Sequence, residues 1–529
     1  WDSITNTLFL GSDSYKRVMS LLSLNRPAYA ETHFKFKLPW SLLYRKRPEI
    51  IVDVPSQINA NQSPEFWIVV RDADRFPLKI KSIELSIKNQ ENKTTVIKQD
   101  LNISADLAFG FYSFVIKPLP PGEYEIIPSI ETVQKNRTKK WVRSNYPFLK
   151  PLPLKIQVLK EPYFIPSGFV AGEMHCHTHY SSDHVEFGAA PHVLQSAARL
   201  IGLDFVLCTD HAYDFAFSKE DYTLPDQADV RFEALRQEIQ ELPSSPLMIA
   251  GEEVSVGNSH NENVHMLCLS PREYLEGKGD CGRYGLNNKP TWGISKTISI
   301  ANAPCFAAHP KVPMSKLERF VFRRGDWHDE DLQLESETPI RGIQFWNGSR
   351  DRGFELGRLW WISLLEKGHE ILPIGGNDAH GDLNDSVSIT MPLISLRHNR
   401  NHVFGKVKTV VKVNDSNALT IDSLKEGFQG DSLYLTDGPA LWWSRENDFI
   451  HFQMNCSADF GTIQYLHFYT AEKGNYSPEK LNQTHSILET KSETLSVKIP
   501  LKDYRYVRAE SETSKGHFAL TSAAFAKEI

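Results

Sequence analysis

Between residues 168 and 400 the sequence alternates strand-like apolar runs with helical ones, and nearly every strand-like run ends on an imidazole or a carboxylate. Strand candidates end near Met174, Leu207, Ala250, Leu267, Ala307, Phe345 and Ile374. At or just after these ends stand His175-Cys176-His177-Thr178, Thr209-Asp210-His211, Gly251-Glu252-Glu253, Val264-His265-Met266, His309-Pro310 and Asp378-Ala379-His380, so only the sixth run lacks such a group. Repeated strand-then-helix units predict parallel strands, whose C-terminal ends open on one face. His175 and His177 are two apart, as are Asp378 and His380, and in an extended chain such pairs point to one side. Taken singly, His309-Pro310 reads as a loop, Asp210 as a turn residue, and Glu252 and Glu253 as solvated charges. Their joint placement at strand ends is what predicts a shared pocket of nitrogen and oxygen donors, suited to zinc, manganese or iron.

The intervening helices have recognisable ends. Pro191 to Ile201 carries Val193, Leu194, Ala197, Ala198, Leu200 and Ile201 on one face and is stopped by Gly202. Val230 to Leu242 and Gly353 to Lys367 are further helices, the second stopped by Gly368. On either side the pattern is different. Residues 48–162 hold short strand-like segments separated by Pro, Gly and Asn, which predicts a β-sandwich domain. Residues 401–529 return to β-like alternation and predict a C-terminal β-rich domain, while 163–400 is the expected catalytic domain. Residues 1–47 form an N-terminal segment of mixed character. In it, Ala28-Tyr29-Ala30 resembles a signal cleavage site, but Asn25, Arg26 and Pro27 interrupt the apolar stretch before it, so no clear signal peptide is expected and the compartment is open between cytoplasm and periplasm.

Composition excludes some partners. With 59 Lys plus Arg against 65 Asp plus Glu, the net charge is −6 and there is no basic footprint for nucleic acid. No apolar run is long enough to predict a transmembrane helix. The six cysteines are scattered without a Cys-x-x-Cys pair, and Cys176, Cys208, Cys268 and Cys305 fall in apolar runs as small core residues.

At the strand-end residues the chain resembles the polymerase and histidinol phosphatase (PHP) superfamily. The resemblance is ordered along about 230 residues: His175-x-His177 with Asp183, then His211, Glu253, His265, His309, and Asp378-x-His380. It implies a distorted seven-stranded (βα) barrel flanked by N-terminal and C-terminal β-sandwich-like domains, holding two or three divalent metal ions. By similarity, His175, His177, Glu253 and Asp378 hold one metal; Glu253 bridges to a second held by His265 and His309; Asp183, His211 and His380 hold a third. His175, His177, Asp183, His211, Glu253, Asp378 and His380 would carry the catalysis by activating a water. A narrower resemblance is to the CehA/McbA metallohydrolases, seen in Gly342-Ile343-Gln344-Phe345-Trp346-Asn347-Gly348, where Gln344 and Phe345 depart from that branch, and in Thr436-Asp437-Gly438-Pro439.

The resemblance implies a metal-dependent hydrolase of a small-molecule substrate. Phosphoester hydrolysis is the first expectation, carboxylic ester, amide or carbamate hydrolysis the second, and a non-catalytic binding protein the third. Asp210 and Asp214 could orient imidazoles, with Asp210 as a simple turn residue the equal alternative; Asn347, Arg350 and Arg352 could meet an anionic group at the mouth, although ordinary surface arginines are the first expectation. His179, His184, His192 and His260 lie off the pattern and read as loop or supporting residues.

Overall fold

Strand Phe169–Cys176, buried along its whole length, is where the structure parts from the expected barrel. The computed structural model describes residues 47–145, 151–181, 188–217, 226–281, 288–332, 339–390, 395–473, 478–486 and 494–526. One edge of Phe169–Cys176 pairs in parallel with Phe205–Cys208, which pairs in parallel with Leu247–Ala250. Its other edge is taken antiparallel by Lys408–Lys412, with Gly172 opposite Thr409. The sheet therefore runs on through Leu433–Thr436, Phe518–Thr521, Tyr504–Thr513, Ile463–Glu472 and Lys480–Ser486.

The remaining strands of the central region form a separate five-stranded sheet, in the order Glu252–Gly257, Asn263–Cys268, Cys305–Ala308, Gly342–Asn347, Leu372–Gly376. Its first two pairings are antiparallel and its last two parallel. The two sheets touch through single bridges, Cys176 to Ala379 and His211 to Glu253.

The expectation of a distorted seven-stranded (βα) barrel with flanking β-sandwich-like domains is thus corrected. Strands make up 43% of the described residues and helices 18%, too few helices for a (βα) barrel. Two physical reasons are visible. The free edge of Phe169–Cys176, which a barrel would close on its last strand, is saturated by Lys408–Lys412. Further along, a parallel neighbour needs a crossover of a dozen or more residues. Only a short turn, Asn258–Glu262, separates Glu252–Gly257 from Asn263–Cys268, so they form an antiparallel hairpin.

The helices that do form sit where their end signals lie. Pro191–Ile201 starts on its proline, buries Val193, Leu194, Ala197 and Ala198, and ends at Gly202, whose φ of 88° turns the chain so that the Leu203 N–H also reaches the Ala198 carbonyl. Helices Ala228–Gln240 and Arg352–Glu366 follow, the latter burying Trp361, Leu364 and Leu365.

Towards the N-terminus, a three-stranded sheet (Glu49–Asp53, Glu65–Arg71, Phe109–Val115) and a six-stranded sheet built around Leu78–Asn89 and Gly122–Gln134 share one apolar core containing Phe66, Ile68, Ile83, Ile130 and Ile156. At the other end, Ala440–Glu446, Phe449–Asn455 and Thr494–Pro500 form a sheet whose Leu441, Trp443 and Phe452 pack with Phe468 and Val507 of the long sheet. All six cysteines are buried. No helix among the described residues is long and apolar enough to cross a membrane.

A buried polar knot fastens the N-terminal sheets to the central region. Arg143 makes a bidentate pair with Asp385, five residues beyond His380, and both side chains are 2% exposed. Asp53 lies beside them, accepting the backbone N–H groups of Val54 at 2.9 Å and Leu383 at 2.8 Å. Burial, opposed by Arg143 and reinforced by Asp385, raises the Asp53 pKa from 3.8 to about 7. Between those values the folded chain holds a proton that the unfolded chain has released, so this group's contribution to stability falls as pH rises. Urea unfolding of the wild type and Asp53→Asn across that interval should give a shallower pH slope in the variant; equal slopes would contradict the assignment.

Candidate metal centre

The seam between the two sheets is where the sequence-predicted residues meet. His175 is the last residue but one of its strand, and Gly376 lets the neighbouring strand pass against it: a Cβ there would lie 2.7 Å from the His175 Cβ. His177 follows directly, its N–H bonded to the Ala379 carbonyl at 2.8 Å. Glu253 and His265 face each other on the two arms of the hairpin, His309 follows Cys305–Ala308, and Asp378 and His380 follow Leu372–Gly376. Asp378 and His309 both have positive φ, 52° and 27°, strained conformations that aim their side chains inward.

Three overlapping sets result, within each of which one donor atom per residue lies within 4.8 Å of the others: His175, His177, Glu253 and Asp378; Glu253, His265 and His309; and His177, His211 and His380. Eight of the nine predicted ligands are thereby brought together. The ninth, Asp183, lies outside the described residues, as do His184 and residues 1–46. His177 joins the third set, where the sequence reading has Asp183.

Glu253 is the joint of the arrangement. Its Oε1 stands 2.7 Å from His265 Nδ1 and 2.9 Å from His309 Nε2. Its Oε2 stands 3.3 Å from His175 Nε2, 3.4 Å from His177 Nε2 and 2.9 Å from His211 Nδ1, yet that oxygen is buried without a hydrogen bond. Across the cavity, Asp378 Oδ1 is 3.3 Å from His175 Nε2 and 3.0 Å from His177 Nε2, while those two nitrogens are 3.2 Å apart. Buried acceptors and ring nitrogens left facing one point are costly unless something positive sits between them. The donor set therefore fits divalent cations.

Electrostatics agree. Burial pushes the Glu253 carboxyl up, but His265, His175 and His211 outweigh it and hold it well below the usual range. Asp378 is likewise held well below its ordinary value, chiefly by His175 against the cost of burial. Burial, with repulsion from His380 and His211, holds His177 well below its ordinary pKa, so it is the neutral ligand form. His175, where Asp378 and Glu253 outweigh burial, is raised to about 9.

Supporting contacts fix which ring atom faces the cavity. Asp378 Oδ2 accepts only, so Asn347 must give it an N–H, at 3.0 Å. Asn347 Oδ1 then accepts from Gln344 Nε2 at 2.9 Å, which leaves Gln344 Oε1 to accept from His175 Nδ1 at 3.0 Å. His175 Nε2 is thereby the ring atom turned inward, and it must lose the proton it carries below about pH 9 before it can bind a cation. Gln344, which departs from the branch pattern, is the link in this chain. Glu173, not singled out from sequence, accepts the N–H groups of His175, Asn377 and Gly405 and so sets the spacing of the strand ends.

Sequence reasoning also missed Asp280, which follows a glycine-rich turn and carries no strand signal. It is fully buried, accepts from His265 Nε2 at 2.9 Å, and is itself bound by Arg324 and Ser255. A carboxylate behind a ligating imidazole fixes its tautomer and raises its basicity. Asp280→Asn is expected to weaken metal binding by about 10- to 100-fold, the usual cost of losing such a partner. Competition with a chromogenic chelator reads this directly, and unchanged affinity would remove Asp280 from the centre.

Two other expectations change. Asp210 bonds the Thr178 N–H at 2.7 Å and the Thr178 hydroxyl at 2.8 Å, closing the turn after His177 instead of orienting a ring. Arg350 is committed to Glu512 and the Gly516 carbonyl, both at 2.7 Å, and does not stand ready for an anionic group.

No protein-family model and no curated protein matches the chain. Solved structures similar to it include a glycosyl hydrolase family 2 member from Bacteroides cellulosilyticus, 10% identical over 94% of this chain and 64% of that one, with a TM-score of 0.17. A β-glucuronidase from Parabacteroides merdae is 8% identical over 90% and 78% of the two chains, with a TM-score of 0.19. A β-D-mannosidase from Dictyoglomus thermophilum is 10% identical over 96% and 73%, with a TM-score of 0.21. Superpositions this loose carry no argument about fold or chemistry.

Proposed function

We propose that the chain is a metal-dependent hydrolase, acting first on phosphoesters, with two or three divalent cations (zinc, manganese or iron) held by His175, His177, His211, Glu253, His265, His309, Asp378 and His380. The observation that carries the reading is the Glu253 carboxylate: one of its oxygens is buried without a hydrogen bond among three imidazole nitrogens. The ligand order along the chain, not the barrel, is what supports kinship with the PHP superfamily.

Cations bound there would supply an activated water near neutral pH and polarise the substrate oxygen. The chain's own residues do the rest. Gln344, Asn347 and Asp280 hold His175, Asp378 and His265 in their productive orientations. Burial keeps bulk water from His175 and His177, which strengthens every charge interaction inside. The side chain of His309 is 15% exposed, against 5% or less for the other described ligands in these ion pairs, so substrate approaches from the His309 side.

The test is a substrate panel on metal-reconstituted protein. Emission spectroscopy should find bound Mn²⁺ or Zn²⁺, and p-nitrophenyl phosphate or bis-p-nitrophenyl phosphate should be hydrolysed. Turnover only of p-nitrophenyl acetate or an aryl carbamate would move the chemistry to carboxylic ester or carbamate cleavage on the same residues. A protein that binds no metal, or activity untouched by His177→Ala, would end the proposal.

A further inference from the structure

The hairpin that carries Glu253 and His265 has a second cluster of donors at its opposite end. Its turn presents His260, exposed, and Glu262, half-buried; across from them stands His328, also half-buried. These three offer ligand atoms within 4.8 Å of one another. The rings of His260 and His328 have centroids 4.1 Å apart. His328 Nε2 is a buried atom without a hydrogen bond.

The backbone beneath these donors is braced. The Asp331 carboxylate accepts the Ser259 N–H with one oxygen at 2.6 Å and the His328 N–H with the other at 2.7 Å, so a single buried side chain ties the hairpin turn to the facing segment. Asn258 Oδ1 accepts the N–H groups of His260 at 3.0 Å and Glu262 at 2.8 Å, and its Nδ2 reaches the Asp326 carbonyl at 2.9 Å. Gly325 leaves room for the Glu262 carboxylate, which a Cβ at that position would strike.

We propose that His260, Glu262 and His328 form a separate site for one divalent cation of the zinc class. Two imidazoles and one carboxylate supply three corners of a tetrahedron, with water for the fourth, and nitrogen donors favour zinc, nickel, cobalt or copper over magnesium and calcium. The cation would clasp the hairpin turn to residues 326–331. The clasp connects to the buried centre through Trp327, whose indole N–H bonds the His265 carbonyl at 3.2 Å. The site shares no residue with that centre, so it stands or falls apart from the proposed hydrolysis.

Zinc titration of chelator-stripped full-length protein tests it. His177→Asn is used as background, to weaken the buried centre and make the outer equivalent easier to count. The double variant His260→Gln with His328→Gln should bind one zinc equivalent fewer than its parent. Glu262→Gln should retain that equivalent with lower affinity. Diethyl pyrocarbonate should modify His260 in stripped protein and be blocked by zinc, a readout that needs no variant. Equal zinc stoichiometry and affinity in parent and variants, or modification of His260 unaffected by zinc, would overturn the proposal.

Discussion

On the proposed function, Glu253→Gln is expected to strip the buried centre of its cations and to lower hydrolytic turnover by about 10²–10³-fold, the scale seen when a pre-organised charge-stabilising group is lost. The magnitude follows from the position of this carboxylate. It belongs to two of the three ligand sets, and its uncommitted oxygen also lies 2.9 Å from His211 of the third. Gln keeps the shape but removes the negative charge that balances His175, His211 and His265. Substituting a ligand that serves a single set, such as His309, should cost less. The check pairs metal content with kcat/KM on the same preparation, and circular dichroism reports whether the fold survives. A Glu253→Gln protein with full metal occupancy at unchanged affinity would mean that these residues are not a cation centre.

Arg143→Ala is expected to lower folding stability by about 3–5 kcal/mol, the usual cost of removing one partner from a buried ion pair. Arg143 is the cation between two buried carboxylates, Asp385 and Asp53, contributed by regions far apart in sequence. Removing it leaves Asp385 with its weaker partner His398, 3.3 Å away, and leaves Asp53 facing like charge. The double variant Arg143→Ala with Asp385→Asn should recover part of the loss, because the second change removes the charge that Arg143 balanced. Denaturant midpoints for the four proteins of the cycle decide the matter. Additive losses would show that the two side chains act independently.

The residues that gather at the seam were legible in sequence because their signal is local. His175-x-His177 and Asp378-x-His380 sit where an apolar run stops, and a residue at a strand end is placed by that strand whichever sheet it joins. The sheet partnership was not legible, because an apolar run ending in histidine looks the same beside a parallel or an antiparallel neighbour. The short turn at Asn258–Glu262 was the available clue that Glu252–Gly257 and Asn263–Cys268 form a hairpin, and the expectation of parallel strands throughout passes over it. Asp280 was invisible for a different reason. Its role comes from a contact with His265 across a glycine-rich turn, and nothing about a lone aspartate in such a turn announces a partner. Arg350 follows the plainer of its two readings, a surface arginine, because its anion is supplied within the chain by Glu512 from 162 residues away.

The seam also orders events during synthesis. Donors from one sheet emerge early, with His175, His177 and His211, while Asp378 and His380 are made some two hundred residues later, and Lys408–Lys412, which holds the first sheet's edge, later still. A growing chain on the ribosome offers scattered histidines but not the closed cavity. If the seam holds cations as proposed, tight loading waits for a nearly finished polypeptide.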